Sequence, residues 1–249
     1  MGAFTGRVVI VTGASEGIGR AFCLGLAAQA PRLVLASRNR DRLESLAAEC
    51  SSLGAETLVV PTDVTDEAAC RALIEHTVAR FGAIDMLVNN AGGTMWTRLD
   101  EITDLSIFER LMRLNYLGSV YPTFHALPYL KRSRGRLVAV ASMAGLVGVP
   151  TRTGYSAAKH AVIGFFDSLR VELADTGVAV IIVCPDFVVS EIHKRALGPD
   201  GQPLGSNPMA QAKIMSAGQC ATLMIDGITR RQRLILTSAR GRLARWLKL

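Results

Sequence analysis

Arg7-Val8-Val9-Ile10-Val11-Thr12-Gly13-Ala14-Ser15-Glu16-Gly17-Ile18-Gly19 is the stretch that decides the fold. Arg7 to Thr12 is a short apolar run that reads as a buried strand. It passes directly into a glycine turn, and Gly17 opens a helix expected to reach Gln29. Glycines here permit a tight turn and let a pyrophosphate approach the backbone at a helix N-terminus. The spacing is G-x-x-x-G-x-G rather than G-x-G-x-x-G. A glycine turn alone can be structural, so the strand–turn–helix context carries the nucleotide reading.

The same alternation continues along the chain. Strands are expected at Leu33–Ala36, Glu56–Pro61, Met86–Val88, Arg136–Ala141, Val178–Cys184 and Leu234–Thr237. Between them lie helices at about Asp41–Leu53, Asp66–Phe81, Ile107–Lys131, Tyr155–Ala174 and Ala210–Ile228. Short apolar strands alternating with helices imply a parallel sheet covered on both faces. The expected fold class is α/β: a three-layer, doubly wound parallel sheet of about seven strands, forming a single domain over residues 1–249. Such a sheet binds its ligand beyond the carboxyl ends of the strands, where strand order reverses.

Composition and charge exclude several classes. No apolar run is long enough to span a bilayer, and no secretory signal fits Met1 to Thr12. The five cysteines are scattered and never spaced as C-x-x-C, which reads as a reducing, cytoplasmic setting without disulfides or a metal site. All 21 acidic residues and 21 of the 28 basic ones lie before Arg230, so residues 1–229 balance to zero. The last twenty residues carry the whole net charge of +7. The body therefore has no nucleic-acid footprint. The tail, 238–249, has the pattern of a basic amphipathic helix, which packs on its own domain or a partner subunit, or lies on an anionic membrane.

The second strand ends Ala36-Ser37-Arg38-Asn39-Arg40. No acid stands where an NAD-preferring site binds the ribose 2′-hydroxyl, whereas Arg38 offers a donor fork suited to a 2′-phosphate. NADP(H) is therefore expected over NAD(H), although Glu16 is unhelpful to a phosphate. Asp63-Val64 ends the third strand, where Asp63 either meets an adenine edge or caps a helix. Asn89-Asn90-Ala91-Gly92 ends the fourth, suited to backbone approach to a cofactor or to a plain turn. Residues four apart on a helix share a face, so Tyr155 and Lys159 project together. A cation beside a phenol favours the phenolate, and Lys159 is expected to lower the tyrosine's pKa.

In order and spacing, these residues resemble the short-chain dehydrogenase/reductases over nearly the whole chain. The match comprises Thr12–Gly19, Asp63-Val64, Asn89–Gly92, Asn115 in Leu114-Asn115-Tyr116, Ser142, and Tyr155-x-x-x-Lys159 thirteen residues after Ser142. The resemblance implies a Rossmann-type fold and nicotinamide-dependent interconversion of a carbonyl and an alcohol on a small molecule, in a homodimer or homotetramer. It implies Tyr155 as general acid/base, Lys159 as its electrostatic partner and a ribose ligand, and Ser142 as a donor to the substrate oxygen. Asn115 would hold a water that links the lysine to solvent. Gly13, Ser15, Gly17, Ile18, Gly19, Ser37, Arg38, Asp63, Val64, Asn90, Ala91, Gly92, Tyr155, Lys159, Pro185, Val188 and Ser190 would line the cofactor, and no metal is implied. Asp186 departs from the family's usual Pro-Gly. Residues 186–210 read as a substrate loop, either a lid or a surface excursion. Related enzymes of this fold also epimerise or dehydrate, and a cofactor-sensing module without catalysis is a further possibility that the presence of both Tyr155 and Lys159 argues against.

Overall fold

A computed structural model describes residues 2–208 and 214–238. The strands are β1 (Val8–Thr12), β2 (Arg32–Ser37), β3 (Glu56–Pro61), β4 (Met86–Asn89), β5 (Arg136–Val140), β6 (Ala179–Cys184) and β7 (Leu234–Leu236). They form one sheet in the order β3-β2-β1-β4-β5-β6-β7, and every pairing is parallel. The chain winds outward from β1 to β3, then crosses back to place β4 against β1's other edge. The strand order reverses there, so a crevice opens between the loops that follow β1 and β4.

Alternate residues of each strand face opposite sides of the sheet, and two cores result. Val9, Val11, Leu33, Leu35 and Val88 point to one side. There they meet α1 (Gly17–Ala27), α2 (Arg40–Ser52) and α7 (Ala217–Thr229). Val8, Ile10, Val34, Leu87 and Leu137 point to the other. They meet α3 (Glu67–Phe81), α5 (Gly118–Ser133) and α6 (Thr153–Glu172). This is the three-layer, doubly wound, single-domain arrangement the sequence implies. All five cysteines are free and buried.

Two helices differ from expectation. The helix expected over Ile107–Lys131 is interrupted: α4 (Ser106–Met112) and α5 flank a π-helical turn at Arg113–Leu117. An extra residue in such a turn redirects a side chain, and the residue redirected here is Asn115. The last helix starts at Ala217, because Ser216 and Gln219 form a reciprocal capping box. The expected portion at 210–213 lies outside the described residues, as does the tail from 239 onward. Among the described residues no helix is long and apolar enough to cross a membrane.

Candidate active site

A cavity of about 940 Å³ runs from the glycine turn after β1 to the start of α6. The register aligns the ends of four strands beneath it, with Val11 opposite Val88, Asn89 opposite Ala139, and Val140 opposite Val183. Every proposed catalytic or cofactor residue lines this cavity except Gly19. Gly19 is buried behind it, where an added Cβ would lie 2.4 Å from the Gly13 carbonyl oxygen and 2.5 Å from Asn90 Nδ2. Glycine is therefore required there for α1 to pack against the loop after β1.

Hydrogen bonds hold the loops after β1 and β4 together. Thr12 Oγ1 accepts from the backbone N–H groups of Asn90 and Ala91 at 3.0 and 3.1 Å. Asn90 Nδ2 donates to the carbonyls of Thr12 and Gly13 at 3.0 and 3.1 Å. Gly13 has a φ of +64°, and a Cβ there would meet Ala91 Cα at 2.8 Å. Turn and close approach both require glycine. Among the described residues, the buried Ser37 Oγ at the end of β2 has no partner, and no ion pair engages Arg38. An orphaned hydroxyl, a glycine cradle and an available guanidinium fit the pyrophosphate and ribose of a dinucleotide. Glu16 pairs with Arg42 at 2.8 Å and with Arg195, so its charge is answered twice. Asp63 Oδ1 accepts from the N–H and hydroxyl of Thr65 at 2.9 and 2.8 Å, closing the turn before α3. The α3 cap itself is Asp66.

At the other end, Tyr155, Lys159, Ser142 and Asn115 converge. Lys159 is buried, and its Nζ donates to the Val140 carbonyl oxygen at 2.9 Å. It lies 5.8 Å from the centroid of the half-buried Tyr155 ring. Burial pulls the Lys159 pKa down to about 8. Burial also raises the Tyr155 pKa, opposed first by the Ser142 hydroxyl and then by the Arg152 cation. The expectation that Lys159 lowers the tyrosine's pKa is corrected: desolvation outweighs charge at this site, and the cation opposing it is Arg152. Ser142 Oγ also accepts from the Ala144 N–H at 3.1 Å, which caps the short turn that follows.

Residues outside the sequence-based set complete this end. Arg152 is only 4% exposed. Its Nη1 donates to Thr94 Oγ1 at 2.6 Å. Its guanidinium lies 4.4 Å from the Trp96 ring centroid and 5.9 Å from those of Tyr155 and Phe187. His193 is buried beside them, its pKa lowered by burial and then by Arg152. The one trace of Arg152 in the sequence is a charge inside the otherwise neutral stretch Ala144–Gly154. The carboxylate of Asp186, a residue of the cavity lining, is hydrogen-bonded at both oxygens: Oδ1 accepts from the Phe187 N–H at 2.9 Å and Oδ2 from Ser238 Oγ at 2.7 Å. The excursion after it is docked as a wall. Leu197 N–H donates to the Thr94 carbonyl at 2.9 Å, and Arg110 Nη1 donates to the Gly201 carbonyl at 3.0 Å.

Comparison with known proteins agrees with this geometry. A family model described as short chain dehydrogenase matches residues 7–198. The chain is 35% identical over 237 residues to 11-beta-hydroxysteroid dehydrogenase 1A of Arabidopsis thaliana, covering 92% of this chain and 68% of that protein. It is 38% identical over 227 residues to dehydrogenase/reductase SDR family member 7 of Homo sapiens, covering 89% and 67%. A solved short chain dehydrogenase/reductase from Burkholderia phymatum, in complex with NAD, superposes with a TM-score of 0.85 at 28% identity, covering 98% of this chain and 94% of that one. The chain belongs to the short-chain dehydrogenase/reductase family of oxidoreductases.

Proposed function

We propose that the protein is an NADP(H)-dependent oxidoreductase that interconverts a carbonyl and an alcohol, with Tyr155 as general acid and base. The observation that carries this reading is a single cavity joining the glycine cradle and Arg38 to Tyr155, Ser142 and Lys159. Gly13, Ser15, Gly17 and Ile18 would hold the pyrophosphate, and Ser37 and Arg38 the adenosine ribose and its 2′-phosphate. Asp63, Val64, Asn90, Ala91 and Gly92 would line the middle, with Pro185, Val188 and Ser190 across the cavity. When bound, the nicotinamide supplies or accepts the hydride.

The chain's own residues manage the proton. Tyr155 is a phenol at neutral pH, as a donor to a carbonyl oxygen must be, and burial raises its pKa further. Ser142 can donate to that oxygen as negative charge develops on it. Lys159 holds a cation nearby, on a carbonyl at the end of β5. The cavity wall also includes Leu111, Leu114, Val149, Phe187, Ile192 and Leu197, which suits a lipophilic substrate body. Phe124 on α5 and Val171 on α6 are large apolar residues left exposed, supporting a homodimer or homotetramer through those helices.

Titrating the protein with NADPH and NADH and then screening carbonyl substrates tests the proposal. Tighter binding of NADPH and turnover lost in Tyr155→Phe are expected. Equal affinity for both cofactors sinks the role of Arg38, and full turnover by Tyr155→Phe sinks the mechanism.

A further inference from the structure

Arg152 is a buried cation with which no Asp or Glu of the chain pairs. Its Nη1 is engaged by Thr94, while its Nη2 is buried with no hydrogen-bond partner among the described residues. No salt bridge involves it among the described residues, and every Asp and Glu of the chain lies among those residues. The carboxylate adjacent to Phe187, that of Asp186, is committed to Phe187 N–H and Ser238. Burying an unanswered charge costs free energy, and such groups are ordinarily paired.

The position is also enforced. Thr151, a β-branched residue, has a φ of +65°, a strained conformation immediately before Arg152. Thr97 N–H donates to the Thr151 carbonyl at 3.1 Å and holds that strain in place. Trp96 lies against the guanidinium, and Tyr155 is also within reach of it. His193, which has a hydrogen bond to the Val188 backbone, adds a second buried ring nitrogen, Nδ1, with no partner among the described residues, in the same wall.

We infer that Arg152 is a specificity-determining residue that binds a carboxylate on the substrate, so that the substrate class is an oxo acid or hydroxy acid with its acid group a few bonds from the reacting carbon. The guanidinium presents a planar fork that matches a carboxylate in two-point contact. It stands close enough to Tyr155 for one small molecule to engage both. Trp96 and Phe187 flank the acid, and the apolar wall receives the rest of the molecule. The inference rests on the proposed redox reading for the carbonyl, but the anion site itself does not require it.

The test is a binding measurement with 2-oxo-2-phenylacetate and its neutral amide, by isothermal titration calorimetry of the full chain. The acid should bind the wild-type protein at least tenfold more tightly than the amide. Arg152→Met should lose that advantage and leave amide binding unchanged, while Arg152→Lys should recover part of it. Equal affinity of acid and amide for the wild-type protein, or no detectable binding of the acid, overturns the proposal whatever the variants do. So does an Arg152→Met protein that still prefers the acid, or one that weakens both ligands equally, as a residue serving only Tyr155 would. Turnover with NADPH separates the two claims. Acid bound through Arg152 but never reduced leaves the anion site standing and fails the redox reading. Reduction of the neutral ester without preference for the acid does the reverse.

Discussion

Asn115 and Gly93 hold each other at both ends: Asn115 Nδ2 donates to the Gly93 carbonyl at 3.1 Å, and the Gly93 N–H donates to Asn115 Oδ1 at 3.3 Å. Nδ2 also donates to the Leu111 carbonyl at 3.0 Å, within the helix that the π turn interrupts. One side chain thus ties the loop after β4 to the helix beside Tyr155. Removing it would orphan buried backbone groups on both. Asn115→Ala is expected to cost about 1–3 kcal/mol in stability and to lower turnover at least tenfold, seen by denaturant unfolding and steady-state kinetics. A variant with wild-type stability and turnover would show that the clamp is dispensable.

Gly92→Ala should report on the same clamp from the other side. Its Cβ would stand 2.7 Å from Asn115 Oδ1 and 3.5 Å from Lys159 Nζ. Cofactor affinity and turnover are expected to fall together, with a stability loss of roughly 1–3 kcal/mol from overpacking. Thermal melts with and without NADPH would measure both.

Tyr155→Phe keeps the ring and removes the proton. Turnover is expected to fall by about 10²–10⁴-fold, the usual contribution of a positioned acid, with the NADPH dissociation constant within a few-fold of wild type. Single-turnover kinetics and fluorescence titration would separate the two effects.

Lys159 is held at a cost. Its folded pKa of about 8 lies below the ordinary lysine value, so the folded state binds fewer protons than the unfolded chain between about 8 and the ordinary value near 10.4. The burial penalty is full below pH 8, shrinks as pH rises through that window, and vanishes above it. Lys159→Met is therefore expected to be more stable than wild type at neutral pH, by roughly 1–4 kcal/mol, while losing turnover. The gap should narrow on raising the pH through the window. Melts at pH 7 and pH 10 check the sign.

Direction of catalysis should follow the same groups. Carbonyl reduction needs the phenol and is expected to hold through neutral pH, falling as Lys159 loses its charge above about 8. Alcohol oxidation needs the phenolate, and the raised Tyr155 pKa delays its rise to alkaline pH. Paired kcat/KM profiles in the two directions would show opposite slopes. Parallel profiles would remove Tyr155 from the proton-transfer step.

Arg38→Ala is expected to weaken NADPH binding by tenfold or more and to leave NADH binding unchanged, since only the former brings a phosphate to β2. Equal losses for the two cofactors would mean that Arg38 supports the loop rather than the phosphate.

By itself, the sequence determined the layered parallel sheet and the part of the cavity lining that strand ends supply. Strand and helix periodicities are local, and the residues at strand ends from Thr12 to Ser190 follow once the strands are placed. It also placed Tyr155 and Lys159 on one helical face, because four residues along a helix is a fixed rotation. Only the tertiary structure decided what those two groups experience. Desolvation depends on atoms brought in from β5, α4 and the loops after β4 and β6, and it reversed the direction expected for Tyr155. The π turn at Asn115 belongs to the same kind, since its stabilising partner, Gly93, is 22 residues away. So does Arg152: nothing local marks a lone arginine in a loop as unpaired. Its isolation exists only once the fold has carried every Asp and Glu elsewhere and left one guanidinium lining the cavity beside the tyrosine.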